Sequence, residues 1–146
     1  MPRSRPSADD GSASLEFLTV GMLLLVPLVY LVLAVAAIQA AAFAVEGAAR
    51  QAARVFVQAP DTAAAAASAQ RALDFALADH GIDVPATIAV TCTADPCLTR
   101  QAFVTVTVDL RIPLPLMPPV LGDDLPLAVP LHATATEQVS RFWGAP

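Results

Sequence analysis

The hydrophobic pattern of the chain starts with a short polar stretch, followed by an unbroken apolar run over residues 17–45. The run contains no charged residue, and only Thr19 and Gln39 are clearly polar. About 20 apolar helical residues span the hydrocarbon core of a bilayer, so the run is long enough to cross a membrane. It is also longer than the apolar part of a signal peptide, which has about 7–15 residues. We interpret the run as a membrane anchor, and a signal peptide cut near residues 40–42 is the less favoured alternative.

The anchor helix is expected to continue as an amphipathic segment. Glu46 and Arg50 are four residues apart, a spacing at which opposite charges support a solvated helix face. Pro60 ends the segment, because the residue before a proline disfavours the helical conformation. The pattern predicts one helix over residues 14–58. The apolar stripe of its last part consists of Ala49, Ala52, Ala53, Phe56 and Val57.

A second, shorter helix is predicted over residues 62–81. Asp61 or Thr62 can cap its N-terminus, and Gly81 is a natural residue to end it. One side of this helix carries Leu73, Ala76, Leu77 and His80.

The remainder of the chain changes to a period of two, which is typical of strands with one buried face. The alternation is strongest over residues 102–112, clear over residues 86–92 and weaker over residues 127–139. Short links between the three segments favour an antiparallel meander. The predicted fold class is therefore α+β, with a long transmembrane helix, a short helix and a small antiparallel sheet. The strongest strand places Val104, Val106, Val108 and Leu110 on one face and Thr105, Thr107 and Asp109 on the other.

Composition agrees with a membrane protein and excludes a nucleic-acid partner. Of the 146 residues, 56% are hydrophobic and 14% are charged, whereas soluble domains carry about 25% charged residues. The net charge is −5, lysine is absent and the arginines are scattered. No basic stripe for binding nucleic acid is present.

Two cysteines, Cys92 and Cys97, flank a four-residue stretch that follows a predicted strand. In an oxidising compartment such a pair indicates a hairpin disulfide, and in a reducing one the thiols stay free. Closing so short a loop stabilises the fold by about 2 kcal/mol in the chain-entropy model. His80 and His132 are isolated in the sequence, so we expect no metal and no cofactor.

No catalytic motif is recognisable in the sequence. It contains no GxSxG, no HExxH, no glycine-rich phosphate loop and no His-acid-Ser arrangement. We therefore do not expect an enzyme, although an acid–base pair converging in a pocket of the distal domain would revive that hypothesis.

The polar edge of the apolar run contains a candidate site. Gly11 ends the polar stretch and Glu16 follows five residues later. Cleavage after Gly11 would make Ser12 the new N-terminus and Glu16 the fifth residue. A carboxylate at the rim of a membrane segment is costly unless it has a partner, which an α-amino group in a neighbouring subunit can provide. The alternative is that Glu16 lies in the headgroup zone, stabilised by the helix dipole.

Residues 11–17 resemble the class III signal of type IV pilins: a leader ending in glycine, glutamate at mature position five, then an apolar helix. The Glu16–Phe17 pair is similar to the Glu-Tyr pair of the Flp branch. The wider layout resembles the TadE-like pseudopilins of tight-adherence (Tad) pilus systems. The matching parts are SLEFLTVGMLLLVPLVYLVL, EGAARQAAR and VTVTVDLRIPLPL.

The resemblance implies a membrane-anchored minor pilin or pseudopilin that helps to assemble a Tad-type pilus. It implies cleavage between Gly11 and Ser12 by a prepilin peptidase, Glu16 as the assembly carboxylate, and contacts with the bilayer, other pilins and pilus platform membrane proteins. The chain then divides into a leader (1–11), a transmembrane and amphipathic helix (12–58) and an extracytoplasmic α+β domain (59–146). It would cross the bacterial inner membrane once, with its N-terminus in the cytoplasm. The alternative is a signal-anchored envelope interaction protein outside any filament.

Two proline-containing features have open interpretations. Pro27 lies inside the apolar helix, where it is either a tolerated kink or a point of local unwinding during assembly. The proline-rich segment 112–126 is either a docking segment or, as we favour, a crossover between strands. As a crossover it would bury Leu114, Leu116, Met117, Val120 and Leu121. Asp123 and Asp124 in that segment are expected to be solvated.

Overall fold

The computed structural model describes residues 12–115 and 128–144. It has the α+β arrangement that the hydrophobic pattern predicts. The chain divides into two compact units, Met1–Val35 and Ala36–Pro146. The elements are helix α1 (Ser12–Gln58), helix α2 (Thr62–Asp79) and strands β1 (Ala86–Cys92), β2 (Phe103–Pro113) and β3 (Ala128–Gln138).

The part of α1 in the first unit exposes its leucines, valines, Met22 and Phe17, whereas Tyr30 is half-buried and Ala34 is buried. From Leu15 to Val35 these apolar side chains are 43–81% exposed. The helix continues on both sides of Pro27. By length and composition, α1 is the one helix of the described residues that can cross a membrane. We call residues 15–35 the exposed half of α1.

The part of α1 in the second unit is a core element. Its buried positions recur every three or four residues, as expected for one face of a helix. Most of them are alanines, and the pattern confirms the predicted amphipathic stripe. We call residues 41–57 the buried half of α1. Its buried residues are Ala41, Ala44, Val45, Ala48, Ala49, Ala52, Ala53, Phe56 and Val57.

Helix α2 begins and ends with the expected residues. Asp61 is the N-cap, and its Oδ1 accepts a hydrogen bond from the Ala64 N–H at 2.8 Å. At the other end, the Gly81 N–H donates to Ala78 O and the Ile82 N–H to Leu77 O, both at 2.9 Å. These two bonds form a Schellman motif. Gly81 has a φ of 66°, which glycine adopts without a steric penalty. His80, expected on the apolar side, is instead the exposed C-cap.

The three strands form an antiparallel meander in the order β1-β2-β3. Ala86 pairs with Leu110, and Pro113 pairs with Ala128. The start of β1, the end of β2 and the start of β3 therefore lie at one end of the sheet, which we call the proximal end. The inner face of β2 buries all four predicted apolar residues: Val104, Val106, Val108 and Leu110.

A single hydrophobic cluster joins the buried half of α1, α2 and the inner face of the sheet. Helix α2 contributes Ala65, Ala69, Leu73 and Leu77, which are spaced by four residues. The second unit is thus a small domain built around one end of a long helix. The leader 1–11 and residues 116–127 lie outside the described residues, and so do the expectations for Leu116, Met117, Val120, Leu121, Asp123 and Asp124.

Candidate functional site

The N-terminal end of α1 carries the predicted assembly carboxylate. Ser12 is the first helical residue and Glu16 the fifth, and the Glu16 side chain is exposed. Residues four apart in a helix lie on the same face, one turn apart. Glu16 is also the only charged residue between Ser12 and Val45. Gly11, the other half of the predicted cleavage site, lies outside the described residues.

The exposed half of α1 is the second part of this candidate site. Phe17 is 81% exposed and Leu23 is 71% exposed. Burying one such side chain stabilises a protein by about 1.5–3 kcal/mol. Soluble monomers rarely expose continuous apolar surface on this scale, and where it occurs it marks contact with a membrane or another protein. The exposed half of α1 is therefore expected to contact an apolar environment, either a membrane or another protein.

Gly21 has open space around it in the first unit. A Cβ atom built on this residue would meet no other atom within 4 Å. Gly21 is therefore not required by any contact within the described chain. Thr19 satisfies its hydroxyl locally, because its Oγ1 donates to Leu15 O at 2.7 Å. Such a bond within one helix turn lets a polar side chain reside in an apolar segment.

Cys92 and Cys97 form a disulfide, as expected for an oxidising compartment. They close a loop of sequence separation 5 at the end of β1. This is the end of the sheet opposite the proximal end, and we call it the distal end. Nearby, the Phe103 N–H donates to Thr93 Oγ1 at 2.9 Å. The bond and the disulfide together hold the link between β1 and β2.

The structure places His132 beside an acid that the sequence does not put near it. Register pairs Asp109 of β2 with His132 of β3, and His132 Nδ1 lies 2.7 Å from Asp109 Oδ1. His132 Nε2 lies 3.2 Å from Thr134 Oγ1. His132 is therefore not isolated. The three side chains follow the acid, imidazole and hydroxyl order of acyl-transfer triads.

The surroundings of this trio favour a structural role over a catalytic one. His132 and Asp109 line an open depression of about 420 Å³, but their side chains are 63% and 53% exposed to solvent. Thr107 and Thr134 lie 3.4 Å apart on the same face, and Thr105 and Thr136 lie 2.9 Å apart. Cross-strand polar pairs of this kind stabilise strand pairing by about 0.2–1 kcal/mol each. We assign the His132–Asp109 pair to this ladder of cross-strand contacts.

Trp143, near the C-terminal end of the described residues, contacts the end of α1, which the hydrophobic pattern does not predict. Trp143 Nε1 donates to Ala59 O at 2.9 Å, across 84 residues. Arg100 Nε donates to Trp143 O at 2.9 Å. Trp143 is the only tryptophan in the chain, which is the one signal that points to it. These contacts hold the turn between α1 and α2 at the distal end.

Comparisons of the chain with protein-family models, curated proteins and solved structures find no match. Within residues 12–115 and 128–144, no group of three or more His, Cys, Asp or Glu side chains is placed to hold a metal ion. The distinctive features of the described residues are α1, its N-terminal carboxylate and the small disulfide-bonded domain.

Proposed function

We propose that this chain is a membrane-anchored minor pilin or pseudopilin that contributes to the assembly of a Tad-type pilus. The observation that carries the proposal is the division of α1. One continuous helix of 47 residues has an exposed apolar half and a half that forms the core of a small domain. The exposed half of such a helix can anchor the protein in lipid before assembly. After assembly it can pack among the apolar helices of other subunits.

The dimensions of α1 support the anchor. Residues 15–35 span about 30 Å at a rise of about 1.5 Å per residue. This length matches the hydrocarbon thickness of a bilayer, about 30 Å. The exposed half carries one acidic residue, Glu16, at its N-terminal edge. A charge inside a membrane segment costs about 2.5–3.5 kcal/mol on the insertion scale, which the surrounding leucines and valines offset.

In this proposal, Glu16 is the residue that allows the anchored protein to assemble with other subunits. Cleavage between Gly11 and Ser12 creates a cationic amine one helical turn from the Glu16 carboxylate. The pairing of these opposite charges between neighbouring subunits lowers the cost of keeping each in an apolar environment. The resemblance of residues 11–17 to the pilin signal supports this role. The prepilin peptidase, other pilins and the platform membrane proteins are the partners that this function requires.

Processing is tested by mass spectrometry of the full chain expressed in bacteria with and without a prepilin peptidase. We expect the peptidase to remove residues 1–11 and leave Ser12 as the N-terminus. An intact N-terminus under both conditions would show that the peptidase does not cleave between Gly11 and Ser12.

The role of Glu16 is tested with Glu16→Ala and a matched control, Glu46→Ala. Glu46 is also an exposed carboxylate of α1, but it lies outside the apolar run. We expect Glu16→Ala to insert into the membrane normally and to lose pilus assembly, and Glu46→Ala to retain both. Normal assembly by Glu16→Ala would favour the alternative, a signal-anchored envelope protein that never enters a filament.

A further inference from the structure

The two outer strands of the sheet, β1 and β3, pair with β2 on one side and have an open edge on the other. Just beyond the last pair of the β1–β2 ladder, the Thr93 N–H donates to Phe103 O. Residues that bond across an antiparallel ladder alternate with residues whose backbone groups point away from the partner strand. The N–H and C=O groups of Ile88 and Val90 therefore point to the open edge of β1. In the described part of the chain, no hydrogen bond reaches these groups.

The open edge of β3 is protected against further pairing, whereas that of β1 is not. The Val139 N–H donates to Ala102 O, so by the same alternation the backbone of Pro130 points to the open edge of β3. Proline has no N–H, and natural edge strands use proline or charge to prevent another strand from pairing. The seven residues of β1, ATIAVTC, include no proline and no charge. This strand is long enough for a regular ladder, since the mean strand has about 5–6 residues.

The side chains of β1 define the kind of strand that fits its edge. Ile88 and Val90 are half-buried and pack against the hydrophobic cluster. An added strand with apolar side chains beside them would extend the core. Thr87 and Thr91 are exposed on the other face, where the sheet already contains cross-strand threonine pairs. A strand that alternates apolar residues with threonine or serine continues both patterns.

Charges beyond both ends of β1 define the ends of the added strand. Asp83 lies three residues before β1 and Asp95 three residues after it, and both are exposed. Neither forms a salt bridge within the described residues. Opposite charges across an interface favour association and like charges oppose it. A segment with a basic residue at each end is therefore complementary to β1. A second copy of the chain, paired antiparallel over the full length of β1, would bring its own acids to these places.

We propose that the open edge of β1 binds an extended segment of a different protein, which adds a fourth strand to the sheet. The segment alternates apolar and small hydroxyl side chains and has lysine or arginine at its ends. Backbone hydrogen bonds supply the affinity and the alternating side chains supply the specificity, as in other cases of strand addition. The proposal does not depend on the membrane anchor or on pilus assembly.

The test measures binding of a fluorescent peptide to the full chain in detergent micelles by fluorescence anisotropy. The probe alternates valine and threonine and has a lysine at each end, and its matched control has a glutamate at each end. Val90→Pro removes an N–H at the open edge of β1 without removing a bond to β2. Thr134→Pro is the matched variant, because Thr134 lies four residues after Pro130 and its N–H points to the same edge of β3. Trp143 fluorescence and circular dichroism confirm the folding of each variant.

We expect the lysine peptide to bind the wild-type chain several-fold more tightly than the glutamate peptide at low salt. Val90→Pro should weaken binding of the lysine peptide at least several-fold, and Thr134→Pro should leave it unchanged. In hydrogen exchange of the wild-type chain, the bound peptide should protect the Ile88 and Val90 N–H groups and leave the Thr134 N–H unprotected.

The exchange measurement needs no variant, so it decides the question even if a proline variant does not fold. The proposal is wrong if the lysine peptide fails to bind at millimolar concentration, or if it protects the Thr134 N–H instead. Equal affinity for the two peptides would contradict the basic ends of the segment. Protection of the Ile88 and Val90 N–H groups without peptide, increasing with protein concentration, would show that a second copy covers the edge and would overturn the proposed occupant.

Discussion

The two halves of α1 have the same secondary structure but differ in burial: the large side chains of one are mostly exposed, and one face of the other is buried. The exposed half carries leucines and valines, which are more hydrophobic than alanine, and leaves them uncovered. The buried half carries mainly alanines, and several of these, such as Ala48 and Ala52, are 0% exposed. Hydrophobicity alone would predict the reverse, because larger apolar side chains gain more from burial.

The difference shows that each half is shaped for a different neighbour. Small side chains let the buried half pack in one hydrophobic cluster with α2 and the valines of the sheet. Large apolar side chains suit the exposed half if its neighbour is lipid. The boundary between the halves is therefore the place where the environment of the helix changes.

The largest expected effect comes from placing charge in the exposed half. The double substitution Leu24→Arg with Leu28→Arg should cost about 6–8 kcal/mol of membrane insertion, because each change replaces a favourable residue by a costly one. We expect most of the protein to leave the carbonate-washed membrane fraction. The same two arginines at Gln51 and Gln58, which are exposed in the other half, should leave it membrane-bound. Equal membrane binding by both double variants would contradict the distinction between the halves.

A smaller effect is expected from enlarging a side chain in the buried half. Ala52 is 0% exposed, so Ala52→Leu should overpack the core and lower the free energy of unfolding of the domain by about 1–3 kcal/mol. Denaturant unfolding in detergent, followed by Trp143 fluorescence, measures the change. Gln51→Leu adds a similar side chain at the adjacent exposed position and should change stability by less than about 0.5 kcal/mol. If the two variants unfold at the same denaturant concentration, the alanines are not needed for close packing.

The smallest expected effect concerns the distal end of the buried half. Trp143→Phe keeps an aromatic ring but removes the donor to Ala59 O, which should lower the free energy of unfolding by about 1 kcal/mol. Thermal unfolding followed by circular dichroism measures it. Phe142→Leu is the control, since Phe142 is 67% exposed, and we expect no clear shift. If Trp143→Phe leaves the unfolding temperature unchanged, the hydrogen bond from Trp143 to Ala59 O does not contribute to the stability of the domain.

Much of the fold is local and was predictable from short stretches of sequence. The period-two pattern over residues 102–112 predicts β2 and its buried face, because alternation of side chains is a property of any strand. The cap at Asp61 and the glycine at Gly81 predict the ends of α2 for the same reason: the hydrogen bonds at each end join residues at most five positions apart. The disulfide between Cys92 and Cys97 is similarly close in sequence.

The contacts that the sequence did not predict join residues that are distant along the chain. Asp109 and His132 are 23 residues apart, and their meeting depends on the register of β2 and β3. Ala59 and Trp143 are 84 residues apart, and only the packed domain brings them together. Neither of these contacts has a periodic signal in the sequence.

The sequence by itself determined the apolar length of α1, the helix and strand periods and the position of Glu16 relative to Gly11, because each depends on composition and spacing within one segment. Only the tertiary structure decided which elements cover the alanine-rich stripe of α1, namely α2 and the inner face of the sheet. The reason is physical: burial depends on which surfaces have partners of matching shape. The alanine stripe finds them in α2 and the sheet, whereas the leucines and valines of residues 15–35 stay uncovered.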